Sequence, residues 1–242
     1  FDLITGFNVF AHSDNLKEIT NNVFKLLKKD GTFVIEVQYL LDTIKDLTFD
    51  NIYHEHVNFW SVTSLNNFFN NLGYKIYKVE HVDTHGGSIR VYVGNDAVKQ
   101  SDSVSRFLQK EKDFGLLDFN TYKKFATNIT KCKDKAVKKL KEMKSGGKKI
   151  VGYGSPAKAT TVLNYYGVSS DDIDYIIEDN ELKHNHLLPG MRIPIREKNG
   201  IVENSPDYIL VLAWNFFDAI KESNKNLEEN GSQFVSIKDL QV

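Results

Sequence analysis

The pattern of apolar and polar positions predicts that the chain begins with strands and helices in alternation. Strand-like residues at the start are followed by a helical pattern over 14–29, where apolar residues recur every three or four positions, and then by an apolar run at 32–37. This order predicts a β-α-β unit with parallel strands, and ligands of such sheets bind beyond the carboxyl ends of the strands. We therefore expect a binding edge at 8–12 and 36–39, and the candidate cofactor contacts there are Asn8, Phe10, His12 and Tyr39.

Two more strands are predicted at 74–81 and 88–93, after a helix that begins at Thr63 or Ser64 and ends at Gly73. Consecutive glycines between these strands permit a left-handed turn or a close approach of the backbone. The alternative is an ordinary hairpin with a surface arginine, although a charge inside a strand is usually paired or used. The candidate substrate contacts in this segment are His85, Gly86, Gly87, Ser88 and Arg90.

Residues 97–147 are predicted to form a linker and a helical layer. One apolar stripe at spacings of four and three predicts a long helix, and the intervening lysines form a solvated face without the aromatic residues of a nucleic-acid site. The end of this layer is marked by the sequence Ser145-Gly146-Gly147. The stripe comprises Phe125, Ile129, Cys132, Ala136, Leu140 and Met143.

A second strand-and-helix unit is predicted from residue 148 onward. A short strand leads into the pattern Gly152-x-Gly154-x-x-Ala157, with Pro156 suited to the first helical turn, and the glycines let backbone amides point at an anion. Strands near 175–177, 208–212 and 234–235, and a helix that ends at about residue 230, complete a small Rossmann-like unit. The alternative is a glycine-rich turn used only for packing.

Titratable side chains are most concentrated in the run Tyr53-His54-Glu55-His56, which contains a phenol, two imidazoles and a carboxylate. Such crowding of titratable groups favours a site that transfers protons. An extended segment would put Tyr53 and Glu55 on one face, whereas a turn could bring three of the side chains together. Zinc binding by the two histidines is a weaker alternative, because the chain has one cysteine and its other His-x-His pair, at 184–186, is far away in sequence.

Composition narrows the class of protein. The 242 residues are 41% hydrophobic and 26% charged, which is an ordinary globular composition. The formal net charge of −1 gives no electrostatic preference for nucleic acid or for a membrane surface. No apolar run reaches the roughly 18 residues that suggest a membrane span, and a lone cysteine excludes an internal disulfide. We therefore expect a cytoplasmic protein. Because Phe1 enters directly into strand-like sequence without a methionine or a signal peptide, we also expect the sequence to be part of a longer protein.

Four segments together, at 49–56, 84–90, 152–159 and 188–194, resemble the S-adenosylmethionine-dependent sugar C-methyltransferases, which act on nucleotide-linked ketosugars in deoxysugar pathways. The resemblance is collinear over nearly the whole chain. It implies an α/β fold in which the C-terminal half of a Rossmann-like methyltransferase domain is followed by a second, smaller Rossmann-like α/β domain.

The domains implied by this resemblance are a partial methyltransferase domain at 1–96, a helical linker layer at 97–147 and a nucleotide-sugar-binding domain at 148–242. Members of the family begin with a cysteine-rich zinc-binding segment and the glycine-rich first half of the methyltransferase fold. We therefore expect zinc, and most of the S-adenosylmethionine site, in a part that this sequence lacks.

The resemblance also implies roles for the Tyr53–His56 run. His56 would be the general base that removes the C3 proton of a 4-ketosugar, and Tyr53 and Glu55 would orient the sugar or relay protons. An imidazole with a pKa of about 6.5 suits proton abstraction at neutral pH. Tyr53 or His85 would donate to the enolate oxygen, and His54 is expected to be structural.

The second domain would bind the nucleotide diphosphate through the amides of Gly154 and Ser155 and the ammonium of Lys158, with Arg90 as another phosphate contact. Asp179, at the end of the following strand, and Asn215 complete the predicted substrate contacts. The expected partner is thus a nucleotide-linked sugar, with no nucleic acid and no membrane, and the expected state is a monomer or a homodimer.

Two alternatives remain open. In a nicotinamide-dependent oxidoreductase, the Gly152 turn would bind a dinucleotide, and Tyr53 or His56 would transfer protons. In a non-catalytic binding module, the nucleotide sugar would bind without reaction.

Overall fold

The computed structural model describes residues 1–199, 201 and 204–241. The chain forms two compact units: unit 1 comprises 1–49 and 54–125, and unit 2 comprises 50–53 and the chain from residue 126 onward. The helical layer expected at 97–147 is thus divided between the two units at residue 125. The three-part division stays a prediction.

Unit 1 is built on a four-stranded sheet in the order β1-β2-β4-β3, which comprises β1 (Leu3–Phe7), β2 (Thr32–Gln38), β3 (Tyr74–Val82) and β4 (Ser88–Asn95). β1 and β2 pair in parallel, which confirms the predicted β-α-β unit. β4 runs antiparallel to both β2 and β3, and Gln38 lies opposite Ser88. The beginning of β4 therefore lies beside the carboxyl end of β2.

Helices cover this sheet at α1 (Leu16–Leu26), α2 (Leu40–Lys45), α3 (Val62–Asn71) and α4 (Asp102–Phe114), and a short 3₁₀ turn follows α2 at Phe49–Asn51. The predicted start of α3 at Thr63 or Ser64 is wrong. Ser61 is the N-cap, and it exchanges hydrogen bonds with Ser64 in a capping box, which places Ser64 three positions inside the helix.

A buried carboxylate from α4 closes the same helix end. Glu111 is 1% exposed and accepts the backbone N–H groups of Val62 at 2.6 Å and Thr63 at 2.9 Å, and also the Thr63 hydroxyl at 2.5 Å. The partial positive charge of a helix N-terminus stabilises a carboxylate in this position. The contact joins α4 to α3 within unit 1.

The long helix α5 (Phe119–Ser145) confirms the predicted apolar stripe, because its buried residues are Ile129, Cys132, Ala136 and Leu140. The stripe recurs every three or four residues, so these side chains lie on one face of the helix. The lysines between them lie on the other faces.

Unit 2 contains a five-stranded sheet in the order β7-β6-β5-β8-β9, with every pair parallel. Its strands are β5 (Ile150–Tyr153), β6 (Ile176–Ile177), β7 (Ile195–Arg196), β8 (Tyr208–Val211) and β9 (Gln233–Ser236). The two-residue strand β7 has no counterpart in the sequence prediction. The strand order reverses between β5 and β8, and ligands of open parallel sheets bind in the crevice beyond the carboxyl ends at such a point.

The helices of unit 2, besides α5, are α6 (Ala157–Tyr166), α7 (Phe217–Glu222) and α8 (Lys225–Glu229), with a 3₁₀ turn at Trp214–Phe216. The single helix predicted up to residue 230 is therefore wrong. Asn224, which is fully buried, interrupts it, and its side-chain amide donates to the Ile220 carbonyl at 2.6 Å and to the Tyr153 hydroxyl at 3.3 Å. Pro156 is the N-cap of α6 instead of a residue of its first turn.

Candidate functional site

The carboxyl edge of the unit 1 sheet brings two of the predicted segments together. Asn8 follows β1 with a φ of 55°, and its backbone N–H donates to the Glu36 carbonyl at 2.9 Å. His85 lies in the turn before β4 with a φ of 53°. The Asn8 Nδ2 and His85 Nε2 atoms are 3.5 Å apart. A predicted cofactor contact and a predicted substrate contact are therefore neighbours.

The turn before β4 depends on its two glycines. Gly86 and Gly87 have φ values of 86° and 106°, and a Cβ atom on Gly87 would collide with the Asp42 carboxylate. The Gly87 carbonyl also accepts the Tyr39 N–H at 3.1 Å, and Ser88, which is fully buried, donates through its hydroxyl to the Thr84 carbonyl at 3.0 Å. Both expected properties of the glycine pair, a left-handed turn and a close backbone approach, are confirmed.

Asp42 beneath this turn belongs to a network that the sequence did not reveal. Its carboxylate lies 2.6 Å from His81 Nε2, and His81 Nδ1 lies 3.4 Å from Asp83. The Asp42 side chain is 8% exposed. Because α2 was not assigned a buried face from the sequence, only the structure shows that a carboxylate points inward there.

Arg90 is paired within the sheet. It lies opposite Glu36, and its guanidinium donates through Nε at 3.1 Å and Nη2 at 2.8 Å to one carboxylate oxygen, while the Thr84 hydroxyl donates to the other at 3.1 Å. These contacts with Glu36 raise the pKa of Arg90. The expectation that a charge within a strand is paired or used is thus met by pairing, and the role of Arg90 as a phosphate contact stays a prediction.

The Tyr53–His56 run adopts a turn at 53–55 instead of an extended strand. The residues that follow are anchored to the loop after β1, because Val57 N–H donates to the Ala11 carbonyl at 2.9 Å and Trp60 Nε1 donates to the Phe10 carbonyl at 3.2 Å. Two chain segments more than 40 residues apart therefore form one edge of unit 1.

Two imidazoles meet at this edge. His12 Nδ1 lies 2.9 Å from the Glu55 carbonyl, and the ring centroids of His12 and His56 are 4.9 Å apart. His12 is exposed and His56 is half-buried. His12 was a predicted cofactor contact and His56 a predicted proton-transfer residue, and the contact between their rings is visible only in the structure.

His54 and Glu55 are the exposed members of the run, with side chains 85% and 59% exposed, and His54 Nε2 lies 3.9 Å from the Glu55 carboxylate. The structure thus does not bury His54 in the way expected of a structural residue. Tyr53 belongs to the 50–53 segment of unit 2 and is half-buried there.

The four cofactor candidates differ in accessibility. Phe10 is 1% exposed and packs in an aromatic cluster with Phe33, Trp60 and Phe69, and Tyr39 is fully buried. Burial and the neighbouring Glu111 raise the pKa of Tyr39. As placed, neither Phe10 nor Tyr39 can touch a ligand, which disfavours these two predictions. Asn8 and His12 remain exposed, and Val9 between them is 45% exposed.

In unit 2 the glycine-rich turn is occupied by a carboxylate of the chain itself. One Glu178 oxygen accepts the Ser155 N–H at 2.8 Å and the Ser155 hydroxyl at 2.5 Å, and the other accepts the Asn180 N–H at 3.1 Å. Lys183 Nζ lies 3.4 Å from the same carboxylate and donates to the Ser155 carbonyl at 3.0 Å. Burial tends to raise the pKa of Glu178, but the hydrogen bonds and Lys183 outweigh it, so the pKa is lowered.

Asp179 points to another partner. Its two carboxylate oxygens lie 2.9 and 3.0 Å from the Tyr153 hydroxyl. Burial above all, together with Asp179, raises the pKa of Tyr153 to about 12. Asp179 therefore contacts the end of β5 through its carboxylate and remains exposed, as does Asn215 beyond β8. Gly154 has a φ of 82° and packs closely on Ala213, at the reversal point of the strand order.

Beyond the same carboxyl ends lies a group of charged residues around one indole. Trp214 Nε1 donates to the buried Asp50 carboxylate at 2.6 Å. The Nζ atoms of Lys158 and Lys238 lie 4.9 and 4.4 Å from the centroid of the Trp214 ring. Lys158 was a predicted substrate contact, whereas Asp50, Trp214 and Lys238 were missed, although Trp214 directly follows a strand in the sequence.

No group of three or more histidine, cysteine or carboxylate side chains suited to a metal ion occurs in the part of the chain that the structure describes. Among the same residues, every helix is too short or too polar to cross a membrane.

Comparison with known proteins assigns the class. Residues 83–237 match the family model of the C-methyltransferase C-terminal domain, and residues 1–79 match a methyltransferase domain. The chain therefore belongs to the C-methyltransferase family, which confirms the resemblance seen in its four motifs.

One curated relative is the C-methyltransferase NovU of Streptomyces niveus, which is 34% identical over 235 residues. The alignment covers 96% of this chain and 56% of the relative. The chain thus spans a little over half the length of this relative.

Proposed function

We propose that the protein to which this chain belongs transfers a methyl group from S-adenosylmethionine to a carbon of a nucleotide-linked 4-ketosugar. The observation that carries the proposal is the pair of imidazoles, His12 and His56, at the carboxyl edge of the unit 1 sheet. Membership of the C-methyltransferase family supports the reaction class, and the sugar nucleotide follows from the motif resemblance.

His56 is the proposed general base. A 4-keto group acidifies the neighbouring C3–H bond, so an imidazole with a pKa of about 6.5 can accept this proton at neutral pH while the electron pair delocalises into an enolate. His12, 4.9 Å away, would help to hold the His56 ring in position. Glu55 is fixed by its backbone to His12 and would orient the sugar.

The developing enolate oxygen requires a hydrogen-bond donor. Tyr53 and His85 are the two candidates, and loss of such a donor typically lowers the rate by about 10²–10³. His85 is exposed beside Asn8, at the same edge as His56, which supports its candidacy.

S-adenosylmethionine supplies an electrophilic methyl group when it is bound. Asn8, Val9 and His12 are exposed at the end of β1 and offer both polar and apolar side chains. S-adenosylmethionine also has polar and apolar groups, so these side chains could contact part of it. We assign these residues, and not the buried Phe10 or Tyr39, to its binding.

Unit 2 is the proposed holder of the nucleotide. Its parallel sheet and its reversal of strand order between β5 and β8 are Rossmann-like, and Gly154, Ser155, Lys158 and Asn215 all lie beyond the carboxyl ends of those strands. The donors of the glycine turn are already paired within the chain, which disfavours a pyrophosphate in that turn, whether it belongs to a dinucleotide or to a sugar nucleotide. Glu178 already occupies the Ser155 amide, and Pro156 has no N–H to offer a pyrophosphate.

The test is the substitution His56→Asn in the intact protein, assayed by transfer of a labelled methyl group to a nucleotide-linked 4-ketosugar. Removal of a general base should lower kcat by about 10²–10⁴. His54→Asn is the matched control, because it removes the other imidazole of the run, which is 85% exposed.

A His56→Asn variant that keeps its full rate would eliminate His56 as the base. An intact wild-type protein that binds the nucleotide sugar without transferring methyl groups would instead identify a binding module.

A further inference from the structure

A buried carboxylate in unit 1 contacts both chain segments that meet at the carboxyl edge of the sheet. Glu36 lies in β2, between β1 and β4, and its side chain is 6% exposed. Its backbone carbonyl accepts the N–H of Asn8, which follows β1. Its two carboxylate oxygens accept the Thr84 hydroxyl before β4 and the Arg90 guanidinium within β4. Because the side chain is buried and both oxygens are hydrogen-bonded, Glu36 acts on a ligand only through the residues that it holds.

The two segments held by Glu36 share an uncommon backbone conformation. Asn8 and His85 have φ values of 55° and 53°, in the left-handed region. Asparagine and histidine adopt this region more readily than most residues, but it still costs free energy, so the surrounding contacts must maintain it. The Asn8 N–H donates to Glu36 at 2.9 Å, and Thr84, directly before His85, donates to it at 3.1 Å. The same residue therefore helps to maintain both conformations.

Thr84 connects Glu36 to the turn that carries His85. The Thr84 carbonyl accepts the Gly87 N–H at 2.9 Å and the hydroxyl of the buried Ser88 at 3.0 Å, which closes the turn. The Thr84 hydroxyl donates to Glu36, which ties the closed turn to β2. A shift of Thr84 would therefore move the backbone of His85, and with it the imidazole.

The imidazole of His85 is exposed and can donate a hydrogen bond. Its Nε2 atom lies 3.5 Å from Asn8 Nδ2. Since an amide nitrogen can only donate, this contact favours the tautomer of neutral His85 that carries its proton on Nδ1. The Nδ1–H group is then the donor that His85 offers to a ligand. Such a donor stabilises a developing negative charge best when its position is fixed before the reaction.

We propose that Glu36 is a positioning residue for methyl transfer, which holds Thr84 and Asn8 so that the His85 imidazole donates to the enolate oxygen. The proposal rests on the proposed function, in which His85 is one of two candidate donors. Glu36 itself does not touch the substrate. Arg90 pairs with the same carboxylate and compensates its charge within the sheet.

The experiment measures transfer of a labelled methyl group to a nucleotide-linked 4-ketosugar by the intact protein and its Thr84→Val and Thr84→Ser variants. Thr84→Val keeps the shape of the side chain but removes the hydroxyl, and it should lower kcat by about 10- to 100-fold, because a small displacement of a catalytic group is costly. Thr84→Ser keeps the hydroxyl and should retain kcat within about threefold of wild type. Glu36→Met, which removes every side-chain contact of Glu36, should lower kcat at least as far as Thr84→Val.

A matched control separates positioning from stability. Thr63→Val also removes a threonine hydroxyl that donates to a buried carboxylate, that of Glu111, in the same unit. It should lower the melting temperature about as much as Thr84→Val does but leave kcat within about twofold of wild type. Melting curves of all variants show that each is folded.

A double-mutant cycle tests whether Thr84 acts through the imidazole. His85→Asn removes the ring and keeps a residue type that tolerates a positive φ, and alone it should lower kcat by about 10²–10³. In that background Thr84→Val should change kcat by less than about twofold, because the group that it positions is gone. A purely structural role would lower kcat by the same factor in both backgrounds.

The role of Glu36 is overturned if Thr84→Val keeps its full kcat, if Thr84→Ser or Thr63→Val loses as much as Thr84→Val, or if the loss is the same with and without His85. These results are independent of the His56→Asn assay. Full activity of His56→Asn overturns the proposed base, whereas full activity of Thr84→Val overturns only the positioning role, so the two proposals can fail separately.

Discussion

The carboxylates at the carboxyl edges of the two sheets accept hydrogen bonds from different kinds of donor. In unit 1, Glu36 and Asp42 are compensated by Arg90 and His81, and the groups left exposed at the edge are imidazoles and a carboxamide. In unit 2, Glu178 fills the glycine turn, and the buried ammonium of Lys158 has no hydrogen-bond partner among the described residues.

This difference supports the division of roles proposed for the two units. Imidazoles titrate near neutral pH and suit proton transfer, whereas ammonium groups beside an indole suit a fixed anion. A glycine-rich turn at a strand end is therefore not sufficient evidence of a phosphate site. The carboxylates that pack against such a turn decide whether its donors are available.

The largest effect on this comparison is expected from Gly87→Ala. A Cβ atom there would collide with the Asp42 carboxylate, and the φ of 106° is itself strained for alanine, so unit 1 should lose about 2–4 kcal/mol of unfolding free energy. Urea unfolding followed by Trp60 fluorescence, with Gly87→Ala and its parent both carrying Trp214→Phe, measures this loss.

Gly73→Ala is the matched control, because Gly73 has a φ of 80° but a Cβ atom added there would meet no other atom within 4 Å. It should cost only about 1 kcal/mol. Equal losses in the two variants would mean that the backbone angle alone, and not the approach to Asp42, requires glycine at 87.

A smaller and pH-dependent effect is expected from Glu178→Gln. The pKa of Glu178 is lowered below its ordinary value of 4.5, so ionised Glu178 stabilises the folded state above about pH 4.5, and this contribution disappears as the pH falls through the lowered pKa. The variant should therefore be less stable than wild type by about 1–2 kcal/mol at pH 7.

The measurement is urea unfolding at pH 7 and at pH 3, followed by Trp214 fluorescence with Glu178→Gln and its parent both carrying Trp60→Phe. The difference between wild type and variant should shrink at the lower pH. A difference that stays constant over this range would show that the carboxylate is not what the turn binds.

The smallest effect, and of opposite sign, is expected from Lys158→Met. Replacing a buried ammonium that has no hydrogen-bond partner among the described residues by an apolar side chain of similar length should raise the unfolding free energy of unit 2 by up to about 1 kcal/mol, while it weakens nucleotide binding. Lys148→Met, which breaks the ion pair with Asp207, should give no such gain. A clear loss of stability in Lys158→Met would show that the ammonium contributes to the fold instead of to ligand binding.

Much of the secondary structure could be read from local pattern. The predicted parallel pair corresponds to β1 and β2, the alternating strands to β3 and β4, and the apolar stripe to the buried face of α5. Errors fell where side chains compete with backbone periodicity, as at the Ser61 cap of α3 and at Asn224, whose buried amide interrupts a helix.

The sequence by itself determined the class of protein, the strand-and-helix order and the residue types of the candidate site, because periodicity and motifs are properties of short windows. Tertiary structure alone decided which polar groups are already satisfied. The register of the strands places Glu36 opposite Arg90. Folding brings Glu178 to Ser155, 23 positions away, and Asp50 to Trp214, 164 positions away. Whether a charged or polar group is paired depends on distances between residues that are far apart in sequence, and no local pattern encodes these distances. This pairing decides whether a hydrogen-bond donor is available to a ligand or already occupied.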